Sequence, residues 1–206
     1  LPVVDDAAQA HGALHADRAS AATVYSFYPT KNLGGIGDGG AVTTGDEGLA
    51  AAIRRLRVHG MTEQYMHVDR SQNFRLSELE AGWLRLSLPG LAAATERRRS
   101  IAAALRAAAP ELRWQDDHAD HVHHLAVFRA DDRSTTRDRL AANGVASAVH
   151  YPLALTQQPA YRELTRAGCP EAEAWAASCI SVPCFPELTD AEVALVIDAL
   201  EALNDG

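Results

Sequence analysis

Apolar and polar positions alternate in short blocks through the first part of the chain. Apolar or β-branched runs at residues 3–4, 23–27 and 41–44 are separated by turns rich in glycine and polar side chains. Such runs predict buried strands, and the helical pattern that follows them over residues 45–60 predicts a surface helix. Strands and helices in this order indicate an α/β fold with a buried sheet.

Two more helices are predicted before the pattern changes. The segment SELEAGWLRLSL opens with Ser77 and Glu80 at the spacing of a capping box, and LAAATERRRSIAAALRAAA runs until Pro110. In a capping box, the side chain of each residue accepts a hydrogen bond from the backbone N–H of the other. The second segment is long enough to connect two domains.

After Pro110 the pattern is typical of a small α+β domain. Strands are predicted at 125–130 and 145–150, with a helix at 135–144 between them and two further helices behind. We therefore expect the chain to divide after residue 90. Residues 1–90 would form part of a larger domain, and residues 91–206 would form the connecting helix and the small C-terminal domain.

The last predicted helix has the most complete sequence signature. Thr189 and Glu192 have the spacing of a second capping box. An apolar stripe follows at helical spacing, which predicts core packing, and it consists of Val193, Val196, Ile197, Leu200 and Leu203.

Composition narrows the class of protein. The 206 residues are 47% hydrophobic, which is enough to bury a core, and the formal charge of −8 argues against nonspecific nucleic-acid binding. The three cysteines include no CxxC pair, which favours reduced thiols over a disulfide framework or a zinc site. No apolar run approaches the roughly eighteen residues of a membrane span, and no signal peptide is evident. We expect a cytoplasmic protein that binds neither nucleic acid nor a membrane.

Lys31 is the single lysine among nineteen basic residues. An arginine guanidinium keeps its proton and cannot form a Schiff base. The single lysine is therefore either a residue whose amine reacts or one that remains by chance in a composition biased towards arginine. Asp5 or Asp6 follows the first predicted strand and Lys31 follows the second, so both face the carboxyl edge of the sheet, where ligands bind in α/β proteins. A carboxylate and an amine in one cleft suggest pyridoxal phosphate. Ser26 offers a hydroxyl to its phosphate, and the glycines of the segment 34–40 let backbone approach a ligand.

Four separated segments together resemble the nucleotide-sugar aminotransferases of the DegT/StrS type, which are fold-type-I enzymes that use pyridoxal phosphate. The resemblance extends from residue 1 to the stretch FPELTDAE, and it is carried by VVDDAAQAHGA, SFYPTKNLGGIGDGGAVTT, SQNFRLSELEAGWLRLSLP and AVHYPLALTQQPAY. It implies that residues 1–90 belong to a large domain built on a mostly parallel sheet. Several motifs in the right order are far more specific than one glycine motif alone.

The resemblance also implies roles for individual residues. Lys31 matches the lysine that carries the cofactor as a Schiff base, and Asp6 matches the carboxylate beside the pyridine nitrogen. Gln9 matches the residue beside the ring hydroxyl, and Ser26 matches a phosphate ligand. Asn73 matches a residue that reaches the phosphate from the neighbouring subunit, which implies a homodimer with sites at the interface.

Other interpretations of these polar residues remain open. Asp5 has the position of a strand-end cap, and Gln9 and Asn73 have positions at which a turn hydrogen bond is common. His150 and Tyr151 match a wall of the sugar pocket, and packing at a strand end is an equal alternative. The segment DDHADHVHH at 116–124 resembles the ordinary start of a small-domain strand in this family, so we expect no metal site there.

The resemblance implies transfer of an amino group from L-glutamate to a keto sugar linked to a nucleotide diphosphate. The form FYPTKNLG followed by GDGG favours amination at C3 of a 3-keto-6-deoxyhexose. Ala154 and Thr156 depart from the family pattern, and this leaves the acceptor open. A keto-inositol is an alternative acceptor, and a noncatalytic, regulatory or split-chain relative is an alternative protein.

Relatives of this type are about twice as long as this chain. The chain opens on LPVVDD, which has no initiator methionine and already has the pattern of a buried strand. We therefore expect an upstream segment that supplies the phosphate-binding helix N-terminus and the aromatic residue stacked on the cofactor ring.

Overall fold

A computed structural model describes residues 1–13, 20–164 and 167–203 of the chain. The chain forms two compact units, Leu1–Ala93 and Ala94–Gly206. The boundary expected from the sequence, after residue 90, lies close to this division. None of the helices in the described residues has both the length and the apolar character that crossing a membrane would require.

The first unit contains a three-stranded sheet in the order β1-β2-β3, formed by Val4–Asp6, Ala22–Ser26 and Gly40–Thr43. These strands confirm the three predicted runs. β1 pairs with β2 in parallel, but β2 pairs with β3 antiparallel, so the expectation of a mostly parallel sheet is wrong for this part. The reason is the connection, because residues 27–39 return directly to the sheet without a crossover helix.

Helices and a hairpin complete the first unit. α1 spans Glu47–Leu56, and a hairpin that the sequence pattern did not predict follows, with β4 at Met61–Glu63 and β5 at Met66–His67. α2 spans Glu78–Ser87 and passes through one 3₁₀ turn, Leu88–Gly90, into the long helix predicted from the sequence.

The capping box predicted at the start of α2 is only half formed. Ser77 Oγ accepts a hydrogen bond from the backbone N–H of Glu80 at 3.1 Å, as predicted. The Glu80 carboxylate does not return to the N–H of Ser77 but lies against Gly35 instead. Tertiary packing therefore overrides the local pattern at this residue.

The second unit is an antiparallel sheet with helices packed on it. The sheet has the order β6-β7-β8, formed by Arg113–Trp114, Ala126–Arg129 and Cys179–Val182. The long helix α3, Leu91–Ala108, begins within the first unit, and the later helices are α4 at Arg133–Ala142, α5 at Pro170–Ser178 and α6 at Asp190–Glu201.

One predicted strand of this unit is wrong. Residues 145–150 form no strand, and their only ladder contact is an isolated bridge between Ala148 and Ser181. The strand at this place is β8, Cys179–Val182, whose four residues are all buried. Because both of its faces are covered, its sequence has no apolar and polar alternation that would reveal a strand.

The apolar stripe and capping box of α6 are confirmed. Val193, Val196 and Leu200 are buried, and Ile197 and Leu203 pack partly against the same core. Thr189 accepts from the N–H of Glu192 while Glu192 accepts from the N–H of Thr189 at 2.8 Å. Phe128 of β7 lies fully buried at the centre of this core.

The second unit contains a buried arginine that binds backbone carbonyls. Arg98 of α3 is 6% exposed, and its Nη1 donates to the carbonyl oxygens of Cys184 and His123. Burial lowers the pKa of Arg98, and no carboxylate of the described residues forms an ion pair with it. Backbone carbonyls therefore solvate the guanidinium in place of water.

His123 sits in a cluster of charged and titratable side chains. The side chain is 4% exposed, its Nε2 lies 3.3 Å from Asp117 Oδ1, and its ring centroid lies 4.2 Å from that of His121. Burial lowers the pKa of His123 to about 4, and His121, Arg106 and Arg99 add to the effect, while Asp117 opposes it. His123 is therefore held as a neutral imidazole.

Acid should destabilise the protein through His123. The pKa is 6.5 when the ring is free and about 4 in the fold, so the unfolded chain binds the proton more tightly. The stabilisation is present above pH 6.5 and is lost as the pH falls from 6.5 towards 4. It amounts to about 3 kcal/mol, since one pKa unit corresponds to about 1.4 kcal/mol. Urea unfolding across this pH range measures it.

Two variants separate His123 from other acid effects. His123→Phe removes the titrating ring from a buried site and should flatten the pH dependence of the free energy of unfolding. His118→Gln changes a side chain that is 75% exposed in the same segment and should keep the original slope. An unchanged slope in His123→Phe would contradict this account.

Candidate active site

The parallel pairing of β1 and β2 brings the first two candidate residues to one edge of the sheet. Asp6 is in register with Val24, and Ser26 ends β2 two residues later. Asp6 is exposed, and its Oδ1 accepts a hydrogen bond from the N–H of Ala8 at 3.0 Å. Asp6 therefore caps this strand end through one of its two carboxylate oxygens.

Lys31 lies in a loop that is closed by hydrogen bonds of the backbone N–H and C=O of Phe27. The N–H of Phe27 donates to Gly39 O at 2.7 Å, and Phe27 O accepts from the N–H of Gly35 at 2.8 Å. Within the loop, the N–H of Lys31 donates to Tyr28 O at 2.9 Å. The Lys31 loop, residues 28–39, is thus held at the carboxyl end of β2.

Several glycines at and beside the Lys31 loop lie where a Cβ atom would collide with the protein itself. A Cβ atom at Gly34 would lie 2.3 Å from Pro29 O, and one at Gly39 would lie 2.8 Å from Leu76 Cδ1. At Gly40 the nearest atom would be Tyr25 O at 2.8 Å, across the antiparallel pair. Close packing within the protein thus explains these three glycines, and the approach of their backbone to a ligand stays a prediction.

His11 is a residue of this region that the sequence analysis did not select. It is 3% exposed, and its ring centroid lies 5.6 Å from that of Tyr25 and 5.9 Å from that of Phe27. Burial lowers the pKa of His11, the positive charge of Lys31 lowers it further, and the backbone of Ser26 opposes both. Its signal in the sequence was its position in DDAAQAHG, two residues after Gln9.

Neither ring nitrogen of His11 has a hydrogen-bond partner of ordinary geometry among the described residues. An imidazole buried in this way favours its neutral form. The effect of Lys31 on the pKa of His11 also indicates that the two side chains are near each other. His11 therefore belongs to the surroundings of Lys31.

Gln9 and Asn73 are the other two candidates for cofactor binding. Gln9 is exposed on the turn that follows β1. Asn73 Oδ1 accepts from the backbone N–H of Arg75 at 3.2 Å and from its Nε at 2.9 Å, and Asn73 forms an isolated bridge with Val58. The turn hydrogen bond considered for Asn73 is therefore present, and its role towards a neighbouring subunit stays a prediction.

His150 and Tyr151 belong to the second unit. His150 Nδ1 lies 2.8 Å from Ser181 Oγ on β8, and Tyr151 is 59% exposed. Their assignment to a sugar pocket stays a prediction.

One group of side chains in the described residues has the composition of a metal site. Atoms of Asp117, His121 and His123 that are able to ligate a metal lie within 4.8 Å of one another. However, His121 Nδ1 accepts the N–H of His123 at 3.1 Å, so this nitrogen is already used. Burial lowers the pKa of His121, Arg106 and Arg99 lower it further, and Asp117 opposes the shift. The positive charge of the two arginines opposes a bound cation. The expectation of no metal stays a prediction.

The chemistry at the edge of the first sheet fits pyridoxal phosphate. Lys31 provides a primary amine from the closed loop. Asp6 provides an exposed carboxylate at the end of β1, and Ser26 provides a hydroxyl at the end of β2. These groups match the aldehyde, the pyridine nitrogen and the phosphate of this cofactor. The residues present would thus be able to hold it.

Comparison with known proteins gives relatives that are similar along nearly the whole chain. A Streptomyces venezuelae protein named dTDP-3-amino-3,4,6-trideoxy-alpha-D-glucose transaminase is 37% identical over 97% of this chain and 56% of its own length. A Geobacillus stearothermophilus protein named pleiotropic regulatory protein is 38% identical over 97% of this chain and 57% of its own.

A solved structure is also similar to the whole of this chain. The crystal structure of S. venezuelae DesV in complex with a ketimine intermediate has a TM-score of 0.93 at 36% identity. The match covers 100% of this chain and 58% of that one, so the chain spans little more than half the length of these relatives. The family model described as the DegT/DnrJ/EryC1/StrS aminotransferase family matches residues 1–201. The chain therefore belongs to the DegT/DnrJ/EryC1/StrS aminotransferase family.

Proposed function

We propose that the protein is a pyridoxal-phosphate-dependent aminotransferase in which Lys31 carries the cofactor. The observation that carries this proposal is the placement of the single lysine. Lys31 lies in a closed loop at the carboxyl end of β2, beside the strand end that presents Asp6. Membership of an aminotransferase family supports the same chemistry.

Each residue has a defined task in this proposal. Bound pyridoxal phosphate supplies an electron sink for the amino-acid carbon. The amine of Lys31 would hold the aldehyde of the cofactor and would serve as the base that moves a proton at the substrate carbon. The Asp6 carboxylate would keep the pyridine nitrogen protonated, and the Ser26 hydroxyl would bind the phosphate. Gln9 would contact the ring hydroxyl, and Asn73 would contact the phosphate of the neighbouring subunit in a homodimer.

The proposed substrates are L-glutamate as amino donor and a nucleotide-linked keto sugar as acceptor, aminated at C3. The name of the S. venezuelae relative, which describes a dTDP-linked 3-amino sugar, supports both the sugar and the position. His150 and Tyr151 are the proposed sugar contacts of this chain. An assay with a keto-inositol tests the alternative acceptor.

A regulatory role is the second candidate. The observation in its favour is the 38% identity to the G. stearothermophilus relative, which is named pleiotropic regulatory protein. A protein of this kind would bind its partner without turning over an amino donor. We place either activity in the cytoplasm, consistent with the free thiols of Cys169, Cys179 and Cys184.

Borohydride reduction followed by peptide mapping tests the attachment. In the native protein, the mass of the reduced cofactor should appear on the peptide that contains Lys31. Lys31→Arg keeps the positive charge but cannot form the linkage, so turnover should fall by at least about 10²- to 10⁴-fold. A label on no peptide, or a near-normal rate in Lys31→Arg, would reject the mechanism.

Asp6→Asn should leave the fold intact and slow proton abstraction. A nearby carboxylate raises the pKa of a protonated nitrogen by roughly 1 to 3 units, so an amide in its place should lower the rate by about 10- to 10³-fold. Single-turnover kinetics with L-glutamate measure this step. Asp5→Asn is the matched control on the neighbouring residue. If Asp5→Asn is the damaging change, the carboxylate has been assigned to the wrong residue.

A further inference from the structure

Glu80 is a buried carboxylate without an evident task in the fold. It lies in the first turn of α2, is 4% exposed, and its Oε1 has no hydrogen-bond partner among the described residues. A buried carboxylate oxygen without a partner loses its hydration, which destabilises the folded state. A residue that lowers stability in this way needs another explanation.

The chain contains an internal comparison for this residue. Glu192 occupies the same capping-box position in α6, and its Oε2 accepts from the N–H of Thr189 at 2.8 Å. Glu80 has the same local sequence pattern but forgoes the matching bond to Ser77. The forgone bond is worth about 1 kcal/mol. Stability alone would therefore favour the closed box at both helices.

The Glu80 carboxylate instead fills the space above the Lys31 loop. A Cβ atom built on Gly35 would lie 1.4 Å from Glu80 Oε1 and 2.6 Å from its Cδ. A Cβ atom on Gly37 would lie 3.7 Å from Oε2, which is an ordinary van der Waals contact. Glu80 thus rests on the backbone of Gly35, at a place where a Cβ atom would collide with its carboxylate.

α2 holds the loop at the preceding residue as well. Trp83 Nε1, one turn after Glu80, donates to Gly34 O at 3.1 Å. On the other side, the N–H of Gly35 is bound to Phe27 O at 2.8 Å. Gly35 is therefore fixed between the end of β2 and the first turn of α2.

The segment between Lys31 and Gly35 has little conformational freedom. A Cβ atom at Gly34 would lie only 2.3 Å from Pro29 O, so the turn is closed by direct backbone packing. The N–H of Lys31 is bound to Tyr28 O inside the same turn. A displacement of Gly35 is consequently transmitted to Lys31.

From these contacts we infer that Glu80 is a positioning residue for Lys31, acting by seating Gly35 against the end of β2. The inference rests on the proposed function, in which Lys31 carries pyridoxal phosphate. Glu80 touches neither cofactor nor substrate in this role. Its effect is on the direction in which the loop presents the amine.

A double-variant cycle in the native-length protein tests the contact. Gly35→Ala should displace the loop and slow covalent capture of pyridoxal phosphate by Lys31 about tenfold, the size of coupling expected between residues in contact. Glu80→Ala in the same protein removes the colliding carboxylate and itself slows capture about tenfold. Because both changes act on one contact, the two losses should not multiply. The double variant should therefore capture the cofactor within about threefold of the rate of Glu80→Ala alone, rather than about a hundredfold below the native rate.

Two other glycines of the loop serve as matched controls. Gly34→Ala collides with the carbonyl of Pro29 rather than with Glu80, so its loss should multiply with that of Glu80→Ala when the two are combined. Gly37→Ala meets only Glu80 Oε2 at 3.7 Å, so it should leave the capture rate near that of the native protein. None of the three glycines has a positive φ, so backbone strain does not complicate the comparison.

Further readouts separate positioning from simple structural support. Glu80→Gln keeps the size of the side chain and should retain the native capture rate, whereas Glu80→Ala should lower it about tenfold. Amide hydrogen exchange of the cofactor-free protein should rise over the Lys31 loop in Glu80→Ala, with no change in the second unit. The pH dependence of the visible band of the linked cofactor should shift in Glu80→Ala and remain native in Glu80→Gln.

The outcomes distinguish this inference from the proposed function. A native protein that never links pyridoxal phosphate to Lys31 overturns both. A native protein that links it normally overturns the positioning role alone if Glu80→Ala captures the cofactor at the native rate, or if the losses of Gly35→Ala and Glu80→Ala multiply in the double variant. Losses that multiply for Gly34→Ala but not for Gly35→Ala support the positioning role.

Discussion

The paired hydrogen bonds of Phe27 are the constraint on which the first unit depends. Its N–H and its carbonyl bind two glycines of the same loop, Gly39 and Gly35, so the strand β2 and the Lys31 loop share one anchor. From this anchor the chain returns to the sheet as β3 in an antiparallel direction. The mixed sheet and the placement of the amine thus have one geometric cause.

The surroundings of that anchor are unusually rich in buried polar groups. His11 and Glu80 are both nearly inaccessible, and each has at least one polar atom without a partner of ordinary geometry among the described residues. Both also border the segment that carries Lys31, through the charge effect on His11 and the packing on Gly35. Uncompensated polar burial of this kind is tolerated most often where a site requires it.

Sequence patterns predicted the elements whose signals are local. The stripe of α6 is confirmed because a surface helix with one buried face keeps the 3.6-residue period in its sequence. The fully buried strand β8 has no such period, and the pairing that defines it lies far away in sequence, so residues 145–150 were chosen in its place. The α2 capping box failed for the same reason, because Gly35 competes for Glu80 from a distant segment.

For the candidate site, the sequence selected residues with polar chemistry and did not select buried ones. Asp6, Ser26 and Lys31 were selected because their residue types and strand-end positions carry the signal, and their roles towards a cofactor also stay predictions. His11 and Glu80 were missed, because their surroundings arise only when Tyr25, Phe27 and the glycines fold against them. The roles of Gln9, Asn73, His150 and Tyr151 remain predictions, since each depends on more than the contacts of one chain.

The buried Arg98 of the second unit sets the order in which this unit can be completed during synthesis. The guanidinium binds the carbonyl of Cys184, which lies 86 residues later in the chain. While the ribosome is still making the intervening segment, Arg98 has no full set of acceptors and must stay hydrated. The core around α3 is therefore sealed late, after β8 has emerged, and the growing chain carries an open, charged helix until then.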